Sequence, residues 1–98
     1  MLKVLTTYYI GLNDKDSHTQ DITTKEALNI IEEIMDSAGI DSYTTSIAQG
    51  HYKNELENTI KLEIIGIALS EYYINLIKGR LNQECIMELC TETDCNFI

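Results

Sequence analysis

The sequence predicts an α+β fold of the ferredoxin-like type, a βαββαβ sandwich. Three observations predict it: an apolar strand at the amino terminus, two segments with helical periodicity, and polar stretches that separate six elements in the order strand, helix, strand, strand, helix, strand. Right-handed crossovers give a four-stranded antiparallel sheet with strand order 4-1-3-2 and both helices on one face. The length predicts a single domain over residues 1–98.

The first strand is predicted over Leu2–Leu12, where nine of eleven residues are β-branched, aromatic or otherwise apolar. Alternation places Tyr8 and Ile10 on one face of this strand and Leu5 and Tyr9 on the other. A strand that is apolar on both faces is covered on both sides. We therefore expect it to be a central strand of the sheet.

A polar loop over residues 13–20 leads into the first helix. Thr23 is the predicted N-cap because Glu26 follows it at the spacing of a capping box. Gly39 is expected to end the helix in a left-handed conformation. The apolar face has helical spacing and consists of Ala27, Ile30, Ile31 and Ile34.

The next two strands are predicted to form a hairpin with a long connection. Ser42–Ala48 favours β structure but is polar, which suits an edge strand. Gln49–Asn58 is predicted to be the polar connection, and it contains His51 and Tyr52. Thr59–Ile67 alternates in hydrophobicity and is the predicted third strand.

The last two elements are a helix and a strand. Ser70 is the predicted N-cap of a helix that runs to about Leu81, and Cys85–Leu89 is the predicted fourth strand. Two helices on one face leave the other face of the sheet bare, with Tyr8 or Tyr9 and Ile65 on it. Because a bare apolar face rarely stays exposed, we expect a homodimer or a higher oligomer.

The net charge of −9 and the pI of about 4.4 limit the partners. Such a surface repels nucleic acid and anionic lipid and attracts basic protein surfaces. No apolar run has the length of a membrane span and no signal peptide is seen, so a cytoplasmic protein is expected. Cys85, Cys90 and Cys95 are expected to be reduced, two of them sharing the last strand, and they lack zinc-type spacing.

Several short motifs follow one another over nearly the whole chain. They are Thr6-x-x-Tyr9-x-Gly11-Leu12, Thr44, Gly50-His51-Tyr52, Glu63, Asn82-Gln83-Glu84 and Cys95-Asn96-Phe97. In their order and spacing they resemble a bacterial family of small domains of unknown function, some of which carry a lipoprotein signal. The resemblance implies a ferredoxin-like fold and implies no activity.

A ligand site is one interpretation of the polar and aromatic motif residues Tyr9, His51, Tyr52 and Gln83. His51 has the chemistry of a general base near neutral pH, or it is an exposed turn residue. Gln83 either binds a ligand or holds the Tyr9 hydroxyl, or it satisfies backbone carbonyls at a helix end. No phosphate loop, catalytic triad or metal motif is present, so we assign no catalytic residue, metal or cofactor.

Three classes of function therefore stay open. The first is an acidic binding or inhibitory module, such as a phage or mobile-element protein that blocks a basic host protein of nucleic-acid binding or defence. The second is an oligomer that binds or sequesters a small nucleotide-like ligand between protomers, and the third is a cofactor-free ferredoxin-like enzyme. The carboxylates predicted to bind a basic partner are Glu32, Glu33, Asp36, Glu55 and Glu57.

Overall fold

The computed structural model describes residues 1–98 and confirms the predicted fold class. One antiparallel sheet has the strand order β2-β3-β1-β4, which is the predicted order read from its other edge. The chain forms β1 (Leu2–Gly11), α1 (Thr24–Ser37), β2 (Thr44–Tyr52), β3 (Glu55–Ile65), α2 (Glu71–Arg80) and β4 (Met87–Asp94).

The core lies between the helices and one face of the sheet. Alternate residues of β1 and β3 point to this face, because successive side chains of a strand point to opposite sides. Ile31 and Met35 of α1 and Ile77 of α2 pack against them and are buried. The strand residues that they cover are Tyr8, Ile10, Ile60, Leu62 and Ile64, each at most 1% exposed.

The ends of α1 form as the sequence predicts. The Thr23 side chain accepts a hydrogen bond from the backbone N–H of Glu26 at 3.1 Å. Gly39 has a φ of +72°, so the left-handed cap is confirmed. The backbone N–H of Ile40 donates to the carbonyl of Met35, which satisfies one of the free carbonyls at the end of the helix.

The predicted long connection over Gln49–Asn58 is wrong. The strands β2 and β3 continue through it to a turn of two residues, Lys53 and Asn54, whose φ values are +50° and +65°. Two left-handed residues in succession match the twist of a tight hairpin. The polar composition wrongly indicated a loop. Both faces of this hairpin tip are largely exposed, and its backbone hydrogen bonds form without apolar side chains.

The fourth strand lies later than Cys85–Leu89. It begins at Met87 and pairs with β1 until Asp94 lies opposite Leu2. Cys85 precedes the strand and Cys95 follows it, so the expectation that two cysteines share a strand is also wrong. An edge strand that is exposed on both faces carries no apolar alternation from which its bounds could be read.

The face of the sheet without helices, here called the open face, is less apolar than expected. Tyr9 and Ile65 point to it, whereas Tyr8 points into the core. The strand register places further residues on this face, namely Thr7, Lys61, Glu63, Met87, Leu89 and Thr91. A homo-oligomer closed through this face stays a prediction. Neither helix is long and apolar enough to cross a membrane.

Candidate functional site

A cleft of about 750 Å³ lies on the open face, at the end where β1 leaves the sheet. Its volume is typical of sites that bind small molecules. The loop over residues 13–18 and the segment 83–85 form two of its walls. The strand residues that line it are Tyr9, Gly11, Gly50, His51, Tyr52, Glu55, Glu57, Thr59 and Met87.

The wall formed by residues 13–18 is held by a turn at Asp14. One oxygen of its carboxylate accepts the backbone N–H groups of Asp16 at 2.8 Å and Ser17 at 3.1 Å. The side-chain amide of Asn82 donates to the other oxygen at 2.9 Å. The hydrogen bond from Asn82 and then those from the two N–H groups lower the pKa of Asp14, because they stabilise the ionised carboxylate.

Gln83 connects this wall to the end of α2. Its amide nitrogen donates to the carbonyl of Asn13 at 2.8 Å and to the carbonyl of Leu81 at 3.2 Å. The interpretation that Gln83 satisfies a carbonyl at the helix end is therefore confirmed, and its hydrogen bonds do not include the Tyr9 hydroxyl. Gln83 is 8% exposed, so it holds the cleft in shape and presents little surface to a ligand.

The tip of the β2–β3 hairpin reaches across the cleft to the segment before β4. The Tyr52 hydroxyl donates to Glu84 at 3.2 Å and lies 3.5 Å from the sulfur of Cys85. The Lys53 ammonium forms an ion pair with Glu84 at 3.0 Å. The hydrogen bond with Cys85, together with partial desolvation and the nearby negative charges, raises the pKa of Tyr52 to about 12. The hydrogen bond and the charge of Lys53 lower the pKa of Glu84.

The two histidines of the cleft differ in their contacts. His51 is exposed as expected and its side chain forms no hydrogen bond with the protein, but it lies in β2 and not in a turn. His18, which the sequence shows only as part of a polar loop, lies 3.0 Å from Glu55 and joins the loop to the hairpin. Only His18 is therefore oriented by a carboxylate, whereas His51 has no group that orients its ring.

Glu57 forms part of the cleft floor. The backbone N–H of Asn13 donates to one of its carboxylate oxygens at 3.1 Å. The carboxylate lies against Gly11, where an added Cβ would overlap it. Neither Gly11 nor Gly50 has a positive φ; the glycines that do are Gly39 and Gly66. Gly11 instead provides space for the Glu57 side chain.

The cleft is acidic. Five carboxylates and two lysines line it, and no group of three or more His, Cys, Asp or Glu side chains is placed to hold a metal ion. Glu84 is paired with Lys53 and Glu55 with His18, whereas Glu57 has no cationic partner. The excess of negative charge opposes the phosphate groups of nucleotides and attracts cationic ligands.

The structure brings the four residues of the predicted ligand site, Tyr9, His51, Tyr52 and Gln83, around this one cleft. It separates the predicted partner-binding carboxylates into two sets. Glu55 and Glu57 line the cleft on the open face, whereas Glu32, Glu33 and Asp36 are exposed on α1, which covers the opposite face. The cleft also contains Asn13, Asp14, His18 and Glu84, which the predicted ligand site did not include.

Comparison with known proteins supports the fold. No protein-family model matches the chain, and no curated protein matches it in sequence, so the resemblance to a bacterial family is not confirmed. A phage SAM lyase in its apo state has the same fold, with 21% sequence identity and a TM-score of 0.67 over 91% of this chain and 79% of that chain. A phage SAM lyase in complex with S-methyl-5'-thioadenosine matches with 20% identity and a TM-score of 0.55, over 92% of this chain and 81% of that chain.

Proposed function

We propose that this chain binds S-adenosylmethionine or a closely similar nucleoside sulfonium in the open-face cleft and cleaves it to a nucleoside thioether. The observation that carries the proposal is an acidic cleft of nucleoside size with a carboxylate, Glu57, that has no cationic partner.

Charge favours a sulfonium over a nucleotide. The sulfonium centre carries a positive charge, which five carboxylates attract more strongly than two lysines repel it. A nucleotide would bring phosphate charge of the same sign as the cleft. The nucleotide-like ligand expected from the sequence is thereby narrowed to a nucleoside that carries a cation.

Size and shape favour a nucleoside. The cleft contains two aromatic rings, those of Tyr9 and Tyr52, and the thioether of Met87 beside its polar walls. Aromatic faces offer stacking surfaces for an adenine ring. Pockets that combine a few apolar surfaces with convergent polar groups are the usual form of small-molecule sites.

The chemistry is compatible with catalysis by side chains alone. The carboxylate oxygen of S-adenosylmethionine itself attacks the γ-carbon of the methionine part, and as this carbon–oxygen bond forms the electron pair of the broken carbon–sulfur bond returns to sulfur, so the products are a lactone and a neutral thioether. Such a reaction is accelerated when the substrate is held in the reactive orientation. The side chains in the walls of the cleft are fixed by hydrogen bonds and can hold it in this way. The shared fold of a phage SAM lyase, one form of which holds S-methyl-5'-thioadenosine, supports this substrate class for the chain.

Mass spectrometry tests the proposal directly. The purified protein incubated with S-adenosylmethionine is expected to release S-methyl-5'-thioadenosine faster than S-adenosylmethionine alone in the same buffer, because the substrate also decomposes without protein. A Tyr9→Ala variant should slow the release, since Tyr9 lines the cleft. An Asp36→Asn variant is the matched control, because Asp36 lies on α1 away from the cleft. A rate equal to that of buffer, with no heat of binding by calorimetry, would contradict the proposal.

A second candidate function is an acidic module that binds a basic host protein. The observation that favours it is the exposed group of carboxylates on α1, where Glu33 pairs with Arg80 at 3.2 Å and Glu32 and Asp36 have no cationic partner. Charge reversal at Glu32 and Asp36 should weaken the capture of a basic protein and its salt dependence while leaving binding in the cleft unchanged. Capture that is indifferent to both changes and to salt would argue against it.

A further inference from the structure

We propose that Glu57 is the specificity-determining residue of the cleft, the group that distinguishes a positively charged sulfonium from the neutral thioether that its cleavage leaves. This inference rests on the proposed function and extends it to one side chain. Its basis is the placement of the Glu57 carboxylate, the absence of a cation beside it, and the space that Gly11 leaves for it.

The backbone fixes the position of this carboxylate. Glu57 lies opposite Gly50 on β2, and its side chain extends over Gly11 at the end of β1, so glycines flank it on both neighbouring strands. The backbone N–H of Asn13 donates to one carboxylate oxygen at 3.1 Å. A carboxylate held by a backbone donor is already placed before a ligand arrives, so a ligand does not have to order it.

Two of the five cleft carboxylates, Glu57 and Asp16, have one oxygen that accepts no hydrogen bond and no cationic partner, and of these Asp16 is exposed on the loop whereas Glu57 is partly buried. Glu84 and Glu55 are each within 3.0 Å of a basic side chain. Both oxygens of Asp14 accept hydrogen bonds from the protein. The second oxygen of Glu57 accepts none, so it is free to face a cation in the cleft.

An available carboxylate beside the sulfur favours the substrate over the product. Opposite charges within about 4–6 Å attract, and a partly enclosed cleft screens them less than bulk water does. Cleavage removes the positive charge from sulfur when the electron pair of the broken bond returns to it. The thioether then loses the attraction of Glu57, which promotes its release.

Two ligands that are not cleaved separate charge from shape. Sinefungin carries an ammonium group in place of the methyl sulfonium, and S-adenosylhomocysteine shares the rest of the molecule but is uncharged at that position. By calorimetry the native protein is expected to bind sinefungin about tenfold more tightly, as one carboxylate facing one cation allows. A Glu57→Gln variant should lose this preference and bind S-adenosylhomocysteine with unchanged affinity, because the glutamine oxygen can still accept the Asn13 N–H.

A Gly11→Ala variant tests whether the position of the Glu57 carboxylate matters as well as its charge. The added methyl group would occupy the space of the carboxylate, so the preference for sinefungin should fall although Glu57 is retained. The Glu57 side chain is flexible and can move aside, so the fold should survive, as circular dichroism can check. Gly79→Ala is the control, because nothing lies within 4 Å of the added group.

The outcomes distinguish the two proposals. An equal loss of affinity for both ligands in Glu57→Gln would show a structural role and overturn the inference, as would a preference that does not change. A native protein that binds neither ligand would overturn the proposed function itself, and with it this inference.

Discussion

The two faces of the sheet are built from the same strands and have opposite properties. On the helix-covered face the residues are aliphatic or aromatic and are buried, as Ile64 and Tyr8 are, each 1% exposed. On the open face the next residues along the same strands, Ile65 and Tyr9, lie beside threonines, lysines and carboxylates. Burial on the helix-covered face therefore stabilises the fold, and the open face can carry a polar cleft without loss of the core.

The sharpest test of this division uses two isoleucines that are neighbours on β3. Ile64→Ala is expected to lower the free energy of unfolding by about 2–5 kcal/mol, because it leaves a cavity in the core. Ile65→Ala should cost roughly half as much or less, since 40% of its surface is exposed. Urea unfolding followed by circular dichroism measures both. Equal losses would break the comparison and indicate that Ile65 itself is buried in an interface.

The sequence predicts a homodimer or a higher oligomer that closes through part of the open face. Light scattering at micromolar concentration and neutral pH is expected to report at least twice the 11.2 kDa of one chain. An interface of roughly 800 Å² per subunit is the usual size, and the open face offers Leu89, which is 50% exposed, as an apolar contact. A monomer under these conditions would show that the open face needs no protein partner.

The adjacent tyrosines of β1, Tyr8 and Tyr9, are expected to show a smaller difference in the free energy of unfolding between the two faces. The Tyr8 hydroxyl accepts the backbone N–H of Leu69 at 2.7 Å inside the core, where burial raises the pKa of Tyr8. Tyr8→Phe leaves that N–H without a partner and should cost about 1–3 kcal/mol. Tyr9→Phe should change the free energy of unfolding by less than about 0.5 kcal/mol, since its ring still faces the ammonium of Lys61. Equal costs in thermal and urea unfolding would contradict the assignment of faces.

The smallest expected effect is a titration on the open face. The pKa of Tyr52 is raised from 10.0 to about 12, so the phenol stays neutral in the folded protein while it ionises in the unfolded chain. The contribution of Tyr52 to stability is therefore complete below pH 10 and is lost as the pH rises towards 12. Phenolate absorbance of the native protein minus that of Tyr52→Phe should show a step near pH 12. A step near pH 10 would mean that the contact with Cys85 and Glu84 does not persist in solution.

The errors of sequence interpretation lie where both sides of a strand are exposed. At the hairpin tip and along β4 the chain is held by backbone hydrogen bonds and by few apolar contacts. Polar residues such as Gln49 and Glu92 are then as acceptable as apolar ones, and the pattern that marks a strand is missing. The two-residue turn at Lys53 and Asn54 carries no glycine, so its left-handed conformations could not be read from composition.

The sequence by itself determined the order of the elements, the topology of the sheet and the face that α1 covers. These follow from local patterns: the alternation of β3, the spacing of Ile31 and Ile34, and the caps at Thr23 and Gly39. Hydrophobic burial acts on every such pattern in the same way wherever it occurs in the chain, so a periodicity predicts the face that will be buried.

Only the tertiary structure decided what the cleft contains. The Glu57 carboxylate is placed in the cleft because Asn13 donates to it and Gly11 leaves space for it, and both lie more than forty residues away along the chain. Gln83 closes the same wall from a third segment. Such contacts depend on strand register and on the direction of single side chains. A polar residue whose partner is distant in sequence belongs to no periodic pattern, so the sequence does not predict the contact.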